Sequence, residues 1–336
     1  RKKIDKFSGL NLRLSASSVS SAFHFILSCT YSELQIKINV ILHIMYDVVI
    51  LGGGLAGLTC AISLVREGIS VCVIEKNQYP FHKVCGEFIS NEVLPFLKSI
   101  DADPLLLNPV KIQKLILSSP SGNTVKTALP LGAFGISRYT LDNFLFQEAK
   151  RQGVAFLLNE RVEKSTRSGG EFLTTLTGNK IVKRKLVIGA FGKRSNLDRI
   201  LKRPFFIERS DYMGIKYHLS YDMPEDTVFL HNFNHGYCGV SKIENGKVNL
   251  CYLTKREQFK KHQTTEKLEK EVLQRNPHLK EIFNNSHKIF NEPLVINEIS
   301  FAPKKPVEND ILMIGDAAGL IPPLSGNGMA MAIHSA

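Results

Sequence analysis

The stretch from Val48 to Lys76 constrains the fold more than any other part of the chain. It reads VVILGGGLAGLTCAISLVREGISVCVIEK. Its first apolar run is typical of a buried parallel strand. A turn with the spacing G-x-G-x-x-G follows, apolar residues at helical spacing continue to Gly68, and a second apolar run ends in Glu75. The order strand, glycine turn, helix, strand and acid predicts a βαβ unit that binds a dinucleotide.

The three glycines of the turn have different physical tasks. Gly52 permits a tight turn, Gly54 lets the backbone approach a pyrophosphate, and Gly57 lets the helix pack closely on the sheet. The phosphates are expected at the helix N-terminus, where free N–H groups and the helix dipole favour anions. Leu55 and Ala56 begin this helix and are included among the predicted cofactor contacts.

Glu75 closes the second strand, where a carboxylate can accept hydrogen bonds from a ribose, and Lys76 lies beside it. A glycine-rich turn alone could be purely structural, but the complete βαβ context favours dinucleotide binding. This stretch by itself leaves NAD, NADP and FAD open.

Composition describes an ordinary globular protein of 336 residues, with 43% hydrophobic and 22% charged residues. The formal charge is +12, of which residues 1–44 contribute +4 and the remainder +8. This excess suits anionic ligands or peripheral contact with an anionic membrane, although a solvated basic face is the commoner cause. Its basic clusters lack interleaved aromatic residues, so we expect no nucleic-acid partner. Oligomeric state is not readable from these features.

Cysteine and histidine spacing argues against a metal site or a disulfide framework. The six cysteines, at positions 29, 60, 72, 85, 238 and 251, form no C-x-x-C pair. His231 and His235 are four residues apart but have no further ligand cluster nearby. We therefore predict no metal and a reducing, cytoplasmic location. No apolar run approaches the roughly 18–20 residues that span a bilayer.

The first 44 residues look unlike the rest of the chain. They begin with Arg1, are rich in serine and poor in acid, and end just before Met45 and the first strand. We interpret residues 1–44 as an upstream extension or translated non-coding sequence that is not part of the fold. A transit peptide is the alternative, because such peptides have a similar composition.

Two further glycine turns follow buried strands. The first is in KLVIGAFGKRSNLDR, residues 185–199, and the second is in ILMIGDAAGLIPPLSGNGMAMAIHSA, residues 311–336. Between them, residues 205–253 alternate as strands do, with a hairpin signal at Asn245-Gly246. Residues 109–137 also predict strands around a turn at 121–123, and a helix follows Arg138. The last helical pattern is still in progress at the final residue, which predicts a truncated C-terminus.

These three turns, in this order and spacing, resemble the FAD-dependent oxidoreductases of the para-hydroxybenzoate hydroxylase and geranylgeranyl reductase superfamily. The resemblance covers about residues 46–336, and HKVCGEFIS, residues 82–90, is most similar to the geranylgeranyl-reductase-like branch. It implies FAD as the cofactor and NAD(P)H as a candidate reductant. It also implies a small-molecule substrate that is lipophilic or aromatic.

The resemblance also assigns roles to individual residues. Gly52, Gly54 and Gly57 would hold the FAD pyrophosphate and Glu75 the adenosine ribose. The remaining implied contacts are Lys83, Cys85 and Gly86 along the flavin, Arg138 at the ribityl-phosphate region, the Val162 backbone at the adenine, Asp316 at the ribityl hydroxyls, and the N–H groups of Gly326, Asn327 and Gly328 at the flavin pyrimidine edge. Gly192, Gly315 and Pro323, in the second and third turns, complete the predicted cofactor site.

No side chain is predicted with certainty to be catalytic, because the cofactor carries the reaction. Cys85 is the one weak candidate, and a small packed residue is its commoner role.

Two features depart from the superfamily pattern. The hydroxylases carry an Asp-Gly pair in the second turn that contacts both FAD and NAD(P)H, whereas this chain has Phe191 before Gly192. Phenylalanine cannot accept a hydrogen bond, so the resemblance does not identify the reductant. Flavin halogenases of this fold carry a tryptophan motif, and this chain has no tryptophan, which disfavours halogenation.

Taken together, the sequence predicts an α/β fold with a discontinuous Rossmann-like FAD-binding domain, residues 46–92, 138–200 and 295–336. A β-rich substrate domain would comprise residues 93–137 and 201–294. The leading expected activity is geranylgeranyl-reductase-like C=C reduction. The alternatives are an aromatic-hydroxylase type of monooxygenase and a flavin-binding protein without turnover.

Overall fold

The structure, a computed structural model, describes residues 46–207, 210–290 and 292–336. The prediction for residues 1–44 lies outside these ranges. Within them, no helix combines the length and apolar character needed to cross a membrane.

Strands and helices are numbered in chain order. The strands are β1 Val48–Leu51, β2 Val71–Glu75, β3 Phe88–Ser90, β4 Val110–Ser118, β5 Thr124–Gly135, β6 Ala155–Leu158, β7 Val162–Ser168, β8 Glu171–Leu176, β9 Ile181–Arg184, β10 Leu186–Gly189, β11 Tyr212–Ser220, β12 Thr227–Phe233, β13 Gly236–Lys242, β14 Val248–Lys255, β15 His287–Lys288, β16 Leu294–Ile299, β17 Val307–Glu308 and β18 Ile311–Met313. The helices are α1 Leu55–Arg66, α2 Leu94–Ser99, α3 Arg138–Arg151, α4 Asn196–Ile200, α5 Pro204–Ile207, α6 Arg256–His262, α7 Thr265–Glu271, α8 Pro277–Asn285 and α9 Gly328–Ser335.

A six-stranded sheet, here called the cofactor sheet, forms the centre of the α/β part. Its order is β17-β18-β10-β1-β2-β6, and all its pairings are parallel except that of the edge strand β17. The strands β1 and β2 are buried along their whole length. This burial on both faces explains why they are continuous apolar runs rather than alternating ones.

Each face of the cofactor sheet has its own core. On one face, apolar residues of α1, α3 and α9 pack against Val48, Ile50 and Ile188. On the other, Leu197 of α4 and Phe172 of β8 pack against Val49 and Leu51. The strands β7, β8 and β9 form the small antiparallel sheet that covers this second face.

A nine-stranded sheet, here called the roof sheet, has the order β15-β11-β14-β13-β12-β4-β5-β3, with β16 also paired to β11. One of its faces carries Ile215, Tyr217 and Leu250, which pack with residues of α7 and α8 in a separate core. Its other face carries Gly214, Lys216 and Asn249, since side chains alternate along a strand.

The α/β prediction is confirmed, and so are both predicted hairpins, β4–β5 and β13–β14. The amphipathic pattern of residues 266–275 predicts a short helix that stops before Pro277. That helix is present as α7 and a short 3₁₀ turn at Leu273–Arg275, whereas α8 was not predicted. Two strands from the segments assigned to the cofactor domain, β3 and β16, pair within the roof sheet. The division into a cofactor domain and a substrate domain stays a prediction.

Candidate functional site

The three glycine turns meet at one edge of the cofactor sheet. Backbone hydrogen bonds join Ala190 N–H to Leu51 O at 2.8 Å and Ile314 N–H to Gly189 O at 2.9 Å. A side chain on Gly52 would approach the Ala190 carbonyl oxygen to 2.4 Å, because the first turn lies directly on the second. This edge is formed by the carboxyl ends of parallel strands, which is where open α/β sheets bind ligands.

The N-terminus of α1 is open toward this edge. Its N-cap, Gly54, makes no side-chain capping hydrogen bond, and the first turn contains no acidic residue. The turn itself is held by Tyr79, whose hydroxyl donates to the Gly53 carbonyl oxygen. A β-carbon at Gly53 would lie 1.9 Å from that hydroxyl oxygen, so Tyr79 occupies the space of a side chain there.

Glu75 holds the same turn from the opposite side. Its Oε2 accepts from the Gly53 N–H at 2.9 Å, and its Oε1 accepts from both the backbone N–H and the side-chain amide of Asn77 at 3.0 Å. A carboxylate has about four acceptor positions, so these bonds leave capacity for a ribose hydroxyl. The predicted ribose contact stays a prediction, and Glu75 also has a structural role that the sequence did not indicate.

Two cations lie beside the glycine turn. A β-carbon at Gly54 would lie 3.5 Å from Lys83 Nζ and 3.9 Å from an Arg138 guanidinium nitrogen. Both cations contact the buried carboxylate of Asp142, at 3.0 Å from Lys83 Nζ and at 2.6 and 2.8 Å from Arg138. The sequence analysis did not identify Asp142, although its position four residues after Arg138 on one helix is a readable signal.

The electrostatics of this cluster keep it ionised. Burial acts to raise the pKa of Asp142, but the adjacent Arg138 and Lys83 charges outweigh it and hold that pKa below its usual range. Burial also acts to lower the pKa of Arg138, and Asp142 outweighs it and raises that pKa. Two cations and one anion leave a single net positive charge next to Gly54, which suits a bound phosphate group.

The third turn packs against the first through Gly315. A β-carbon at Gly315 would lie 2.9 Å from the Ala56 side chain, so the Gly315-Asp316 segment contacts the start of α1. Lys304 joins this segment to the second turn, since its Nζ donates to the carbonyl oxygens of Asp316 at 2.6 Å and Lys193 at 2.8 Å. Burial lowers the pKa of Lys304 to about 8. The side chain of Asp316 is half-buried beside these contacts.

The SGNG segment reaches strand β3 of the roof sheet. A β-carbon at Gly326 would lie 3.3 Å from the Phe88 ring, and Gly328 begins α9. Asn327 is the N-cap of α9, but its side chain makes no capping bond, and its Oδ1 is buried without a hydrogen-bond partner. A buried acceptor of this kind indicates a missing donor.

The loop of residues 82–87 is hydrogen-bonded to the roof sheet. Asn249 donates from Nδ2 to the carbonyl oxygens of Cys85, at 3.3 Å, and Gly86, at 2.8 Å. Glu87 is completely buried and binds Lys216 and His218 of β11. The sequence analysis did not identify Glu87, Lys216 or His218, because nothing local relates the loop to a strand about 130 residues later.

The other predicted positions are less central. Val162 begins β7 and packs against the core under the small sheet, and Lys76 is exposed at the end of β2. Pro323 begins a short 3₁₀ turn before Gly326. Gly192 adopts φ +83°, which an L side chain rarely adopts.

Phe191 has a packing role in the second turn. A β-carbon at Gly189 would lie 2.8 Å from the Phe191 ring, so the ring folds back over the end of β10. The position that carries an acidic hydrogen-bonding residue in the hydroxylases is therefore filled here by an apolar contact.

The residues of this edge fit FAD. The open N-terminus of α1 and the Lys83–Arg138 pair suit a pyrophosphate, and the unpartnered Asn327 Oδ1 beside an uncapped helix suits a ring edge with N–H donors. The three turns thus meet at one edge of the cofactor sheet, here called the crevice, with Lys83 and Arg138 beside the first turn. Their individual contacts with the cofactor stay predictions.

Comparison with known proteins gives a consistent assignment. Residues 45–336 match the family model described as FAD binding domain. A probable electron transfer flavoprotein-quinone oxidoreductase of Escherichia coli is 26% identical over 155 residues, which cover 45% of this chain and 37% of that protein. Digeranylgeranylglycerophospholipid reductase of Methanococcus vannielii is 23% identical over 323 residues, which cover 86% of this chain and 74% of that protein. The chain thus spans well under two thirds of the E. coli relative.

Solved structures share the fold. A geranylgeranyl bacteriochlorophyll reductase-like protein from Thermoplasma acidophilum superimposes with a TM-score of 0.70 at 22% identity, covering 86% of this chain and 75% of that one. The halogenase PltM superimposes with a TM-score of 0.72 at 19% identity, covering 86% of this chain and 67% of that one. These identities indicate a common fold and do not select a reaction.

The family match extends over all of the described residues, including the three turns. The chain therefore belongs to the FAD binding domain family of flavoproteins, and FAD is its cofactor.

Proposed function

We propose that this protein is an FAD-dependent oxidoreductase that reduces a C=C bond in a lipophilic, isoprenoid-like or polyketide-like small molecule. The observation that carries the proposal is a row of apolar residues across the roof sheet that starts at the loop of residues 82–87, here called the cofactor loop. Reduction by NAD(P)H and a cytoplasmic location belong to the same proposal.

The row is defined by strand register. Lys216 pairs with Cys251, Cys251 with Gly239, and Gly239 with Leu230. Leu230 then pairs with Leu117, and Leu117 with Val125. Cross-strand partners project from the same face of a sheet, so these residues form one line of side chains. We call it the apolar row.

The inner end of the apolar row contacts the loop of residues 82–87. At its inner end Lys216 Nζ donates to the carbonyl oxygen of Lys83 at 3.1 Å. In the neighbouring row, a β-carbon at Gly214 would lie 3.4 Å from Val84 of the same loop. The opposite face of the sheet is covered by α7 and α8, so the face toward the crevice is the one left for a substrate.

Exposure along the row suits an apolar ligand. Leu117 is 38% exposed and Val125 is 66% exposed, whereas Cys251 and Leu230 are half-buried. Burial raises the pKa of the Cys251 thiol to about 12, so this side chain is neutral. Apart from Lys216, which is paired with Glu87, the row is uncharged. Covering such a surface with a lipophilic molecule is favourable by about 25 cal/mol per Å² of apolar area.

The residues around the crevice would support the chemistry in distinct ways. Bound FAD supplies two-electron transfer. Lys83 and Arg138 would offset phosphate charge, and the free N–H groups at the start of α9 would stabilise negative charge on the adjacent ring edge. The roof sheet would exclude water from the space above the cofactor.

The relatives support the reductase version, since one is a digeranylgeranylglycerophospholipid reductase that aligns over most of this chain. The test is anaerobic reduction of the FAD-loaded protein by NADH or NADPH, followed by addition of a digeranylgeranylglycerophospholipid. We expect the flavin to be reoxidised without oxygen and the lipid to gain two hydrogens per double bond.

Other outcomes would overturn the proposal. A hydroxylated product formed only with oxygen would identify a monooxygenase, and failure of both NADH and NADPH to reduce the flavin would favour a binding protein without turnover. The substitution Leu230→Asp should abolish turnover, because it places a charge in the apolar row. Ile181→Asp is the matched control, since Ile181 is 47% exposed on the small sheet.

A further inference from the structure

Glu87 is a buried carboxylate at the junction of the cofactor loop, the roof sheet and α3. It is 0% exposed and its oxygens have three partners. Oε1 accepts from Lys216 Nζ at 2.5 Å and from the Arg138 backbone N–H at 2.7 Å, and Oε2 lies 2.7 Å from His218 Nε2. Such a group is stabilised only while its partners remain in place, because an unpaired buried charge is costly.

The same partners fix the loop against the roof. Lys216 also donates to the Lys83 carbonyl oxygen, and Asn249 donates to those of Cys85 and Gly86. Glu87 itself has φ +52°, a left-handed conformation that costs a non-glycine residue about 1 kcal/mol or more. The surrounding bonds must offset that cost, so the loop has one well-defined position.

Glu87 is also part of a charge balance around the crevice. Three cations, Lys83, Arg138 and Lys216, contact two anions, Asp142 and Glu87. These five side chains together carry one net positive charge. Because buried charges are weakly screened, removing either member of the Glu87–Lys216 pair changes the electrostatic potential at the cofactor in a predictable direction.

We propose that Glu87 and Lys216 are positioning residues that hold the Cys85–Gly86 loop at the flavin and set the reduction potential of bound FAD. This inference rests on the placement of that loop beside the flavin in the proposed function. It does not require any particular substrate.

The direction in which each substitution shifts the reduction potential of bound FAD separates this electrostatic role from a purely structural one. Glu87→Gln leaves the Lys216 charge unpaired, which favours the more negative reduced flavin and raises the potential. Lys216→Met removes the lysine charge that offsets Glu87 and lowers the potential. We expect each substitution to change the ratio of affinities for reduced and oxidised FAD by about tenfold, which equals about 30 mV for a two-electron couple. The double variant should return close to the wild-type potential.

A matched control is available in Glu244. This glutamate is also buried, and it caps the start of α3 by accepting from the Ser137 N–H and the Thr140 hydroxyl, both at 2.7 Å. It makes no described hydrogen bond to the 82–87 loop. Glu244→Gln should lower stability while leaving the potential unchanged.

The experiment measures the potential of each FAD-loaded variant above neutral pH by equilibration with a reference dye. It also measures the rate of Cys85 alkylation in each apoprotein by peptide mass spectrometry. Opposite potential shifts in the two single variants, with faster Cys85 alkylation in both, would support the proposal. Shifts of the same sign, or potentials equal to wild type, would overturn it. If Glu87→Gln does not fold, Lys216→Met and the double variant decide the question.

These outcomes are independent of turnover. Opposite shifts without lipid reduction would overturn the proposed function alone, whereas lipid reduction with unshifted potentials would overturn the role of Glu87 alone.

Discussion

Two alanine substitutions in the first glycine turn are expected to damage the protein in different ways. At Gly57, a β-carbon would lie 2.0 Å from the Gly52 carbonyl oxygen and 3.3 Å from the Ala190 side chain. Both neighbours belong to the packed junction of α1 with the cofactor sheet, so they cannot move freely. Overpacking of this kind costs about 1–3 kcal/mol. At about 2–4 °C per kcal/mol for domains of this general size, the apoprotein should melt several degrees lower.

Alanine at Gly54 should not destabilise the apoprotein. The residue has φ −83° and ψ −172°, which any amino acid can adopt, and a β-carbon would lie 3.5 Å from its nearest neighbour, Lys83 Nζ. Reduced freedom in the unfolded chain would even stabilise the variant by about 0.4–1 kcal/mol. The added methyl would, however, occupy the approach of the pyrophosphate. We expect FAD affinity to fall by at least about tenfold, or about 1.4 kcal/mol.

The assay pairs thermal unfolding of each apoprotein with titration of FAD by flavin fluorescence. Gly57→Ala should lose stability, and Gly54→Ala should lose FAD affinity without losing stability. Wild-type FAD affinity in Gly54→Ala would refute the placement of the phosphates at the start of α1. An unchanged melting temperature in Gly57→Ala would refute the packing argument.

Three further substitutions test other parts of the site. Gly239→Leu adds a side chain within the apolar row and should raise the KM for a lipophilic substrate about tenfold. FAD absorbance should not change, because a β-carbon there would meet only a carbonyl oxygen at 3.8 Å. An unchanged KM in steady-state assays would contradict substrate binding along the apolar row. Asp142→Ala should lower the free energy of unfolding by about 3–5 kcal/mol, measured with urea, and a loss below about 1 kcal/mol would show that Arg138 does not depend on this carboxylate. Burial and the nearby His218 and Lys216 lower the pKa of His82 from 6.5 to about 4. Between these two pH values the unfolded chain binds more protons than the folded chain, so the free energy of unfolding falls as the pH drops from 6.5 to about 4. His82→Gln should reduce the dependence of the unfolding free energy on pH, measured with urea at several pH values. The dependence that remains comes from His231, because burial lowers its pKa to about 4 as well. An unaltered pH dependence would contradict the role of His82.

Local patterns predicted the local parts of this fold correctly. The βαβ unit, both hairpins and the start of α3 depend on periodicity and turn residues within about 30 positions, so a single sequence contains the information. Arg138 was identified as the start of a helix, and α3 does begin there after its Ser137 cap. The helix α8 was missed, because Pro277 was interpreted as a stop whereas it occupies the first turn of a new helix.

Some residues were identified with an incomplete role. Glu75 was predicted for ribose binding, and the structure shows that it also supports the glycine turn through the Gly53 N–H. Phe191 was recognised as a departure from the superfamily, and its contact with Gly189 supplies the physical reason for an apolar residue. In each case the missing part depends on a neighbour from another segment.

The sequence by itself determined that this chain contains a dinucleotide-binding βαβ unit and two further glycine turns, because glycine spacing and apolar periodicity are local properties. Only the tertiary structure decided which side chains share the crevice. Parallel strand order brings the three turns to one edge, and sheet register places Lys216 against Glu87 across 129 residues. Such contacts follow from non-local pairing, which leaves no periodic mark in the sequence, and they decide how the glycine turn, the cation pair and the apolar row form one site.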